Sequence, residues 1–161
     1  MTLLKSFEDL DYSEALESHK EAQEWLESND RRFGQLINGT FVTDKSAKLI
    51  ESLNPSNSEL LAQIEIANSE QLESAVKSAR KAQPSWEKLG GHGRAKALYA
   101  LARLMQKHAR IISVLETLDN GKPIRESRDI DIPLAIRHFY HHAGWAQLQE
   151  KDFSSYQSIG V

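Results

Sequence analysis

The sequence predicts an α+β fold, mainly helical. A small antiparallel β-hairpin unit precedes a packed helical segment, and an unpaired strand ends the chain. Three observations carry this expectation. Asn38-Gly39 stands between short runs of Leu, Ile, Phe and Val, the strongest short-range hairpin signal. From Leu72 to Leu118 apolar residues recur at intervals of three and four, the period of a helix with one buried face. The final stretch "KDFSSYQSIGV" alternates weakly, as a strand does, and has no evident pairing partner in the chain.

Taken in order, residues 1–34 read as an N-terminal helical extension. Within it "SEALESHKEAQEWLES" (13–28) places Ala15, Leu16, Ala22, Trp25 and Leu26 among many charges, a solvated amphipathic helix with a narrow apolar stripe. "NDRRFG" ends it. Residues 35–66 form the small antiparallel β unit: the "QLINGTFV" hairpin, a strand at about 48–53, the turn cluster "NPSNS", and a returning strand in "ELLAQIEIA". Residues 67–148 are the helical segment. Asn68 followed by Gln71 makes a capping box, and Leu72, Ala75, Val76, Ala79 and Ala82 share one face. Pro84 is expected to stop this helix and Trp86 to plug the corner. "LGGHG" reads as a flexible stretch. The next stripe drifts in phase between Lys107 and Arg110, so a kink or two consecutive helices are expected there. A last helix should run from about Pro133, favoured in a first turn, to Trp145. Residues 149–161 are assigned to the closing strand.

Composition narrows the function. Twenty Lys and Arg against 23 Asp and Glu give a formal net charge of −3, which argues against nucleic acid as the main partner. No apolar run approaches the roughly 18 residues that cross a bilayer, and no signal-peptide core follows Met1. A cytoplasmic protein without membrane attachment is therefore expected. The chain has no cysteine, so it contains neither a disulfide nor a thiolate metal site nor a cysteine nucleophile.

Three stretches suggest a site. "LETLDNGKPIRES" offers Gly121-Lys122, but a phosphate-binding loop needs a glycine five residues earlier and Ser or Thr afterwards. Glu116 and Pro123 hold those places. A helix stop, with Gly121 as left-handed cap and Pro123 blocking continuation, is the better reading. "LGGHGRAK" places Gly90, Gly91 and Gly93 before a helix, yet Lys96 occupies the third glycine position of a dinucleotide fingerprint and no strand precedes it. In "RHFYHHAGW", His138 and His142 lie four apart on one helical face, as zinc-binding pairs do. The metalloprotease glutamate is missing and only Asp129 and Asp131 lie upstream. No metal site is assigned, with His138 and His142 as weak candidates. Histidines partly buried beside Tyr140 and Trp145, or His138, His141 and His142 facing a subunit boundary, are the alternative.

The ordered set "INGTFV", "NPSNSELLAQI", "AVKSARKAQPSW", "ETLDNGKPIRES" and "AGWA" resembles the aldehyde dehydrogenase superfamily in order and spacing, over about residues 35–161. "DYSEALESHKEAQEWLESNDRRFG" and "IRHFYHHAGWAQL" are most similar to its family 16 branch. The resemblance implies an NAD(P)-dependent oxidoreductase in which a cysteine thiolate attacks an aldehyde, hydride passes to the nicotinamide, and a glutamate-activated water releases the acid. The fold would be the N-terminal part of the aldehyde dehydrogenase fold. The catalytic Cys, Glu and Asn and the Rossmann core would lie beyond Val161, so a truncated N-terminal fragment, inactive alone, is expected. NAD or NADP would serve the full-length enzyme and no cofactor this chain. No catalytic or cofactor-binding residue is assigned here. By the resemblance Ile130 and Leu134 match substrate-tunnel positions, four residues apart on the final helix; ordinary core contacts are the other reading. The tail would begin an oligomerisation strand. Self-association is expected, with an aldehyde bound only by the full-length enzyme. The alternative is a stand-alone helical interaction or oligomerisation module.

Overall fold

The computed structural model describes residues 18–152. Residues 13–17 of the first expected helix and residues 153–161 of the expected closing strand lie outside the described residues.

Helix α1 (Lys20–Ser28) buries only Ala22 and Leu26, one turn apart, which is the narrow stripe its sequence implies. Trp25 stacks on Phe33 with ring centroids 5.4 Å apart. Strands β1 (Arg32–Phe33), β2 (Gln35–Ile37), β3 (Thr40–Val42), β4 (Leu49–Leu53) and β5 (Leu60–Glu65) follow. Strands β2 and β3 pair antiparallel through Asn38-Gly39. Both turn residues have positive φ, 52° and 76°, as a two-residue type I′ turn requires.

The remaining strands keep the antiparallel pairing expected within 35–66 and add a short strand from the residues ahead of it. They form a separate sheet in the order β1-β5-β4. β4 and β5 are antiparallel, whereas β1 lies parallel to β5. A two-residue strand has no alternation to read, and its partner lies some thirty residues away. What holds it is Glu65, whose side chain is only 1% exposed. Arg32 Nε donates to Glu65 Oε1 at 2.7 Å, the Asp44 N–H donates to Oε2 at 2.6 Å, and Arg32 Nη2 donates to the Asp44 carbonyl at 2.9 Å. The carboxylate is held below its ordinary pKa by the Asp44 N–H first and Arg32 second.

Helix α2 (Ser69–Lys88) opens on the expected capping box: Asn68 Oδ1 accepts the Gln71 N–H and Gln71 Oε1 accepts the Asn68 N–H, both at 2.9 Å. Pro84 does not stop it. Proline removes one N–H and crowds the carbonyl four residues back, but Arg80 is exposed here, so water reaches that carbonyl and the helix runs one more turn. Trp86 is therefore a helix residue, 41% exposed, and plugs no corner. No residue of α2 is buried.

Helix α3 (Gly90–Lys107) begins after a single residue, so "LGGHG" is a helical first turn and not a flexible stretch. The packing explains it. Helix α4 (Ala109–Asn120), the single turn α5 (Ile124–Glu126), a π-helical turn (Ser127–Asp131) and helix α6 (Ile132–Asp152) complete the described chain. Gly91 backs onto Ala146, leaving no room for a Cβ, while Ala102 packs with Ile132 and Ile136 at the other end. α3 and α6 thus cross antiparallel over a seam of small residues. Arg94–Gln149 and Tyr140–Gln106 hydrogen bonds flank it. The break at His108 gives the two consecutive helices expected near Lys107–Arg110. Helix α6 continues past Trp145, so residues 149–152, assigned to the closing strand, are helical. A second small core joins Leu26, Leu61 and Ala62 to Phe33, Leu115 and Leu118.

Candidate functional site

The segment that leads from α4 into α6 carries the sequence-derived site residues. Helix α4 stops at Gly121, φ 78°, whose N–H donates to the Thr117 carbonyl at 2.9 Å. This is the left-handed cap expected. The stop aims Lys122 back across the turn. Its Nζ lies 2.6 Å from Asp131 Oδ2 and 3.1 Å from Glu116 Oε1, and its pKa is raised by Asp131 first and Glu116 second. Asn120 adds a brace, donating to Glu116 Oε1 at 2.6 Å and accepting the Lys122 N–H at 2.9 Å. The lysine is thus a clamp between two carboxylates, not a phosphate ligand.

The clamp fixes the π-turn. Such turns carry an extra residue and shift the helical phase. Ser127 is fully buried and its hydroxyl lies 2.9 Å from Thr117 Oγ1. Beyond it the aliphatic residues divide. Ile132 and Ile136 point inward at 7% and 6% exposure, while Ile130 and Leu134 face outward at 54% and 41%. Ile130 sits on the π-turn and only Leu134 on α6, which corrects the expectation of both on the final helix. Neither belongs to the core of the described residues.

The histidines line the exposed side of α6. His138 and His142 are stacked 6.5 Å apart, His141 stands edge-on to His142 at 5.3 Å, and His141 meets Trp145 at 6.2 Å. All three are exposed, which corrects the expectation of partial burial. Tyr140 turns the other way, to Gln106 and Tyr99. Asp131 is taken by Lys122 and Asp129 by Arg128 at 2.7 Å. Among the described residues no group of three or more His, Cys, Asp or Glu could hold a metal ion.

The two glycine stretches are spent on packing and on a helix stop. Gly91 packs against Ala146 of α6, and Gly121 caps α4 beside Pro55. Sequence reading missed an apolar groove of about 470 Å³ between α1, β5 and α4, lined by Trp25, Phe33, Leu61, Leu115 and Leu118. These residues come from four elements, α1, β1, β5 and α4, and no local pattern announces it. The Lys122 clamp was equally silent. Among the described residues no helix is long and apolar enough to cross a membrane.

Comparison with known proteins gives this segment its context. Residues 41–158 match the model of the aldehyde dehydrogenase family. The chain is 42% identical over 111 residues to the putative aldehyde dehydrogenase DhaS of Bacillus subtilis (strain 168), covering 68% of this chain and 22% of that protein. It is 39% identical over 113 residues to the mitochondrial aldehyde dehydrogenase family 2 member B4 of Arabidopsis thaliana, covering 69% and 21%. It therefore spans about a fifth of the length of the curated relatives it matches. Among solved structures, the NAD+ complex of aldehyde dehydrogenase from Bacillus cereus superposes with a TM-score of 0.67 at 36% identity, over 71% of this chain and 24% of that one. HpcC from Thermus thermophilus gives 0.72 at 28% identity, over 80% and 25%.

Proposed function

The chain belongs to the aldehyde dehydrogenase family, and we propose that it is the N-terminal portion of an NAD(P)-dependent enzyme that oxidises an aldehyde to a carboxylic acid. The observation that carries this reading is the family match over residues 41–158 in a chain without a single cysteine. Thiolate chemistry on an aldehyde needs a nucleophile that these residues do not contain. The NAD+-bound relative supports a nicotinamide cofactor for the longer protein. This chain's own share is then structural. α3 and α6 form a rigid antiparallel pair, the Lys122 clamp sets the π-turn, and the turn presents Ile130 and Leu134 as a pair of outward aliphatic groups. In the longer protein they would stand as one wall of an aldehyde tunnel, where apolar lining orients a substrate and excludes water. The family 16 assignment rests on residues 11–34 and 136–148; a cytoplasmic location is part of the same proposal, for want of an apolar run long enough to cross a bilayer.

The test is direct. The purified 161-residue chain, given NAD+ or NADP+ and a panel of aliphatic and aromatic aldehydes, should produce no reduced nicotinamide. Measurable turnover sinks the fragment reading. Sequencing the DNA that follows codon 161 should reveal an in-frame continuation that encodes a cysteine.

The second reading, a helical interaction module, is favoured by one feature: Leu72, Val76, Ala79 and Trp86 of α2 are exposed along one face. It expects concentration-dependent self-association in light scattering, and a monomer at high concentration removes it.

A further inference from the structure

Charge is segregated along this chain. From Lys88 to Leu115 there are six Lys and Arg and no acidic residue, so all 23 Asp and Glu lie outside that window. Residues 1–30 carry nine Asp and Glu and only two Lys. Helix α3 occupies the basic window. Lys96, Arg103 and Lys107 stand at i, i+7 and i+11, within about 40° of one another around the helix and over about 16 Å of its length. All three are exposed. None has an ion-pair partner among the described residues, whereas Arg31, Arg32, Lys122 and Arg128 each do. Leu104, 55% exposed, borders the row at about 80° from Lys96 around the helix. A basic row with an apolar border on an exposed helix face is the pattern of a surface that receives an acidic partner.

The chain itself supplies such a partner. The buried residues of α1, Ala22 and Leu26, leave Glu21, Glu24 and Glu27 on its solvent side, all exposed. Their own pairs are i,i+4 contacts at the surface, Lys20–Glu24 at 3.8 Å and Glu27–Arg31 at 3.3 Å, and surface pairs of this kind are weak enough to exchange. We propose that the basic row of α3 receives the acidic face of α1 from a second copy of this chain. Made reciprocally, the contact closes a two-fold dimer. The inference does not rest on the enzyme reading. A lipid surface fits less well: the inward half of α3 is committed to α6, and Leu104 alone is too narrow a face to insert. A phosphate backbone fits less well too, since the acidic residues lie around the basic window and repel it.

The experiment is sedimentation of the 161-residue chain at low and high salt, with two variants. Wild type should self-associate at about 20 mM salt and lose at least tenfold in apparent affinity at about 500 mM. Lys96→Glu/Arg103→Glu/Lys107→Glu should be monomeric at low salt, and so should Glu21→Lys/Glu24→Lys/Glu27→Lys. Mixed, the two should form a one-to-one complex, because the reversed charges again complement each other. Circular dichroism checks that both variants keep the helical content of the wild type. Four results each overturn the proposal: a wild type monomeric at every concentration, association indifferent to salt, a mixture that stays monomeric, or binding to phosphatidylserine vesicles or RNA without self-association.

Discussion

Gly91→Ala tests the α3–α6 seam. A Cβ on Gly91 would lie inside 3.0 Å of the Ala146 carbonyl oxygen, 3.2 Å from its carbon and 3.3 Å from Gln147 Cα. These are backbone atoms of a 21-residue helix, so no side chain can swing aside. The helices must separate by about an ångström at this end, or α3 must unwind its first turn. Overpacking of this kind costs about 1–3 kcal/mol, and alanine's helix preference over glycine offsets at most about 1 kcal/mol. The net expectation is a loss of about 1–2 kcal/mol, or roughly 2–8 °C in Tm for a domain of this size. Thermal and urea unfolding followed by circular dichroism measure it. Gly144→Ala is the internal control: it sits inside α6 with nothing within 4 Å of an added Cβ, so it should gain about 0.5–1 kcal/mol. A Gly91→Ala protein as stable as wild type would refute the close crossing, and with it the reason this glycine-rich stretch is helical.

Three further outcomes follow from other sites. Gly121→Ala forces a Cβ into the left-handed region at φ 78° and within 3.1 Å of Pro55; a loss of about 1–2 kcal/mol in urea unfolding is expected, and an unchanged midpoint counts against the cap. Asn68→Ala removes one arm of the capping box and should cost about 1 kcal/mol, whereas Asn68→Asp should cost much less. Glu65 has a folded-state pKa depressed by the Asp44 N–H and Arg32. Its contribution is therefore complete above the ordinary carboxylate range and lost as pH falls through the lowered value. The urea midpoint should drop between about pH 7 and about pH 3 in the wild type, and by clearly less in Glu65→Gln; equal drops remove Glu65 from the acid response.

What could be read from the sequence was local. The capping box, the Asn-Gly hairpin and the Gly121 stop each depend on two to four neighbouring residues, and their geometry is the one those residues impose. The misreadings share a different cause. Strand β1 is held by partners some thirty residues on: Glu65 binds Arg32, and the Gln63 N–H donates to the Arg31 carbonyl. "LGGHG" is helical because Ala146 on another helix needs the missing Cβ, and Pro84 is tolerated because its face meets solvent. The site followed the same division. Ile130 and Leu134 could be named from motif order, but their outward direction depends on a π-turn set by Lys122, Glu116 and Asp131. No periodicity encodes that clamp, since its members come from the end of α4, the turn after it and the π-turn.

The exposed surface contains two kinds of face, and salt separates them. The α2 row of Leu72, Val76, Ala79 and Trp86 is apolar, and so is the Ile130–Leu134 pair; association through either is driven by removal of apolar area from water. Screening leaves that force intact, and salting-out anions such as sulfate strengthen it. The α3 row is cationic, and its attraction decays over about 10 Å at 0.1 M salt. A single self-association curve measured against salt therefore ranks them. If affinity falls with salt, the α1–α3 contact dominates. If it holds or rises in sulfate, the uncovered α2 face dominates, which is the behaviour of a face that a longer aldehyde dehydrogenase chain would cover. The two can be uncoupled, because Leu72→Glu/Val76→Glu removes the second without touching any residue of the first.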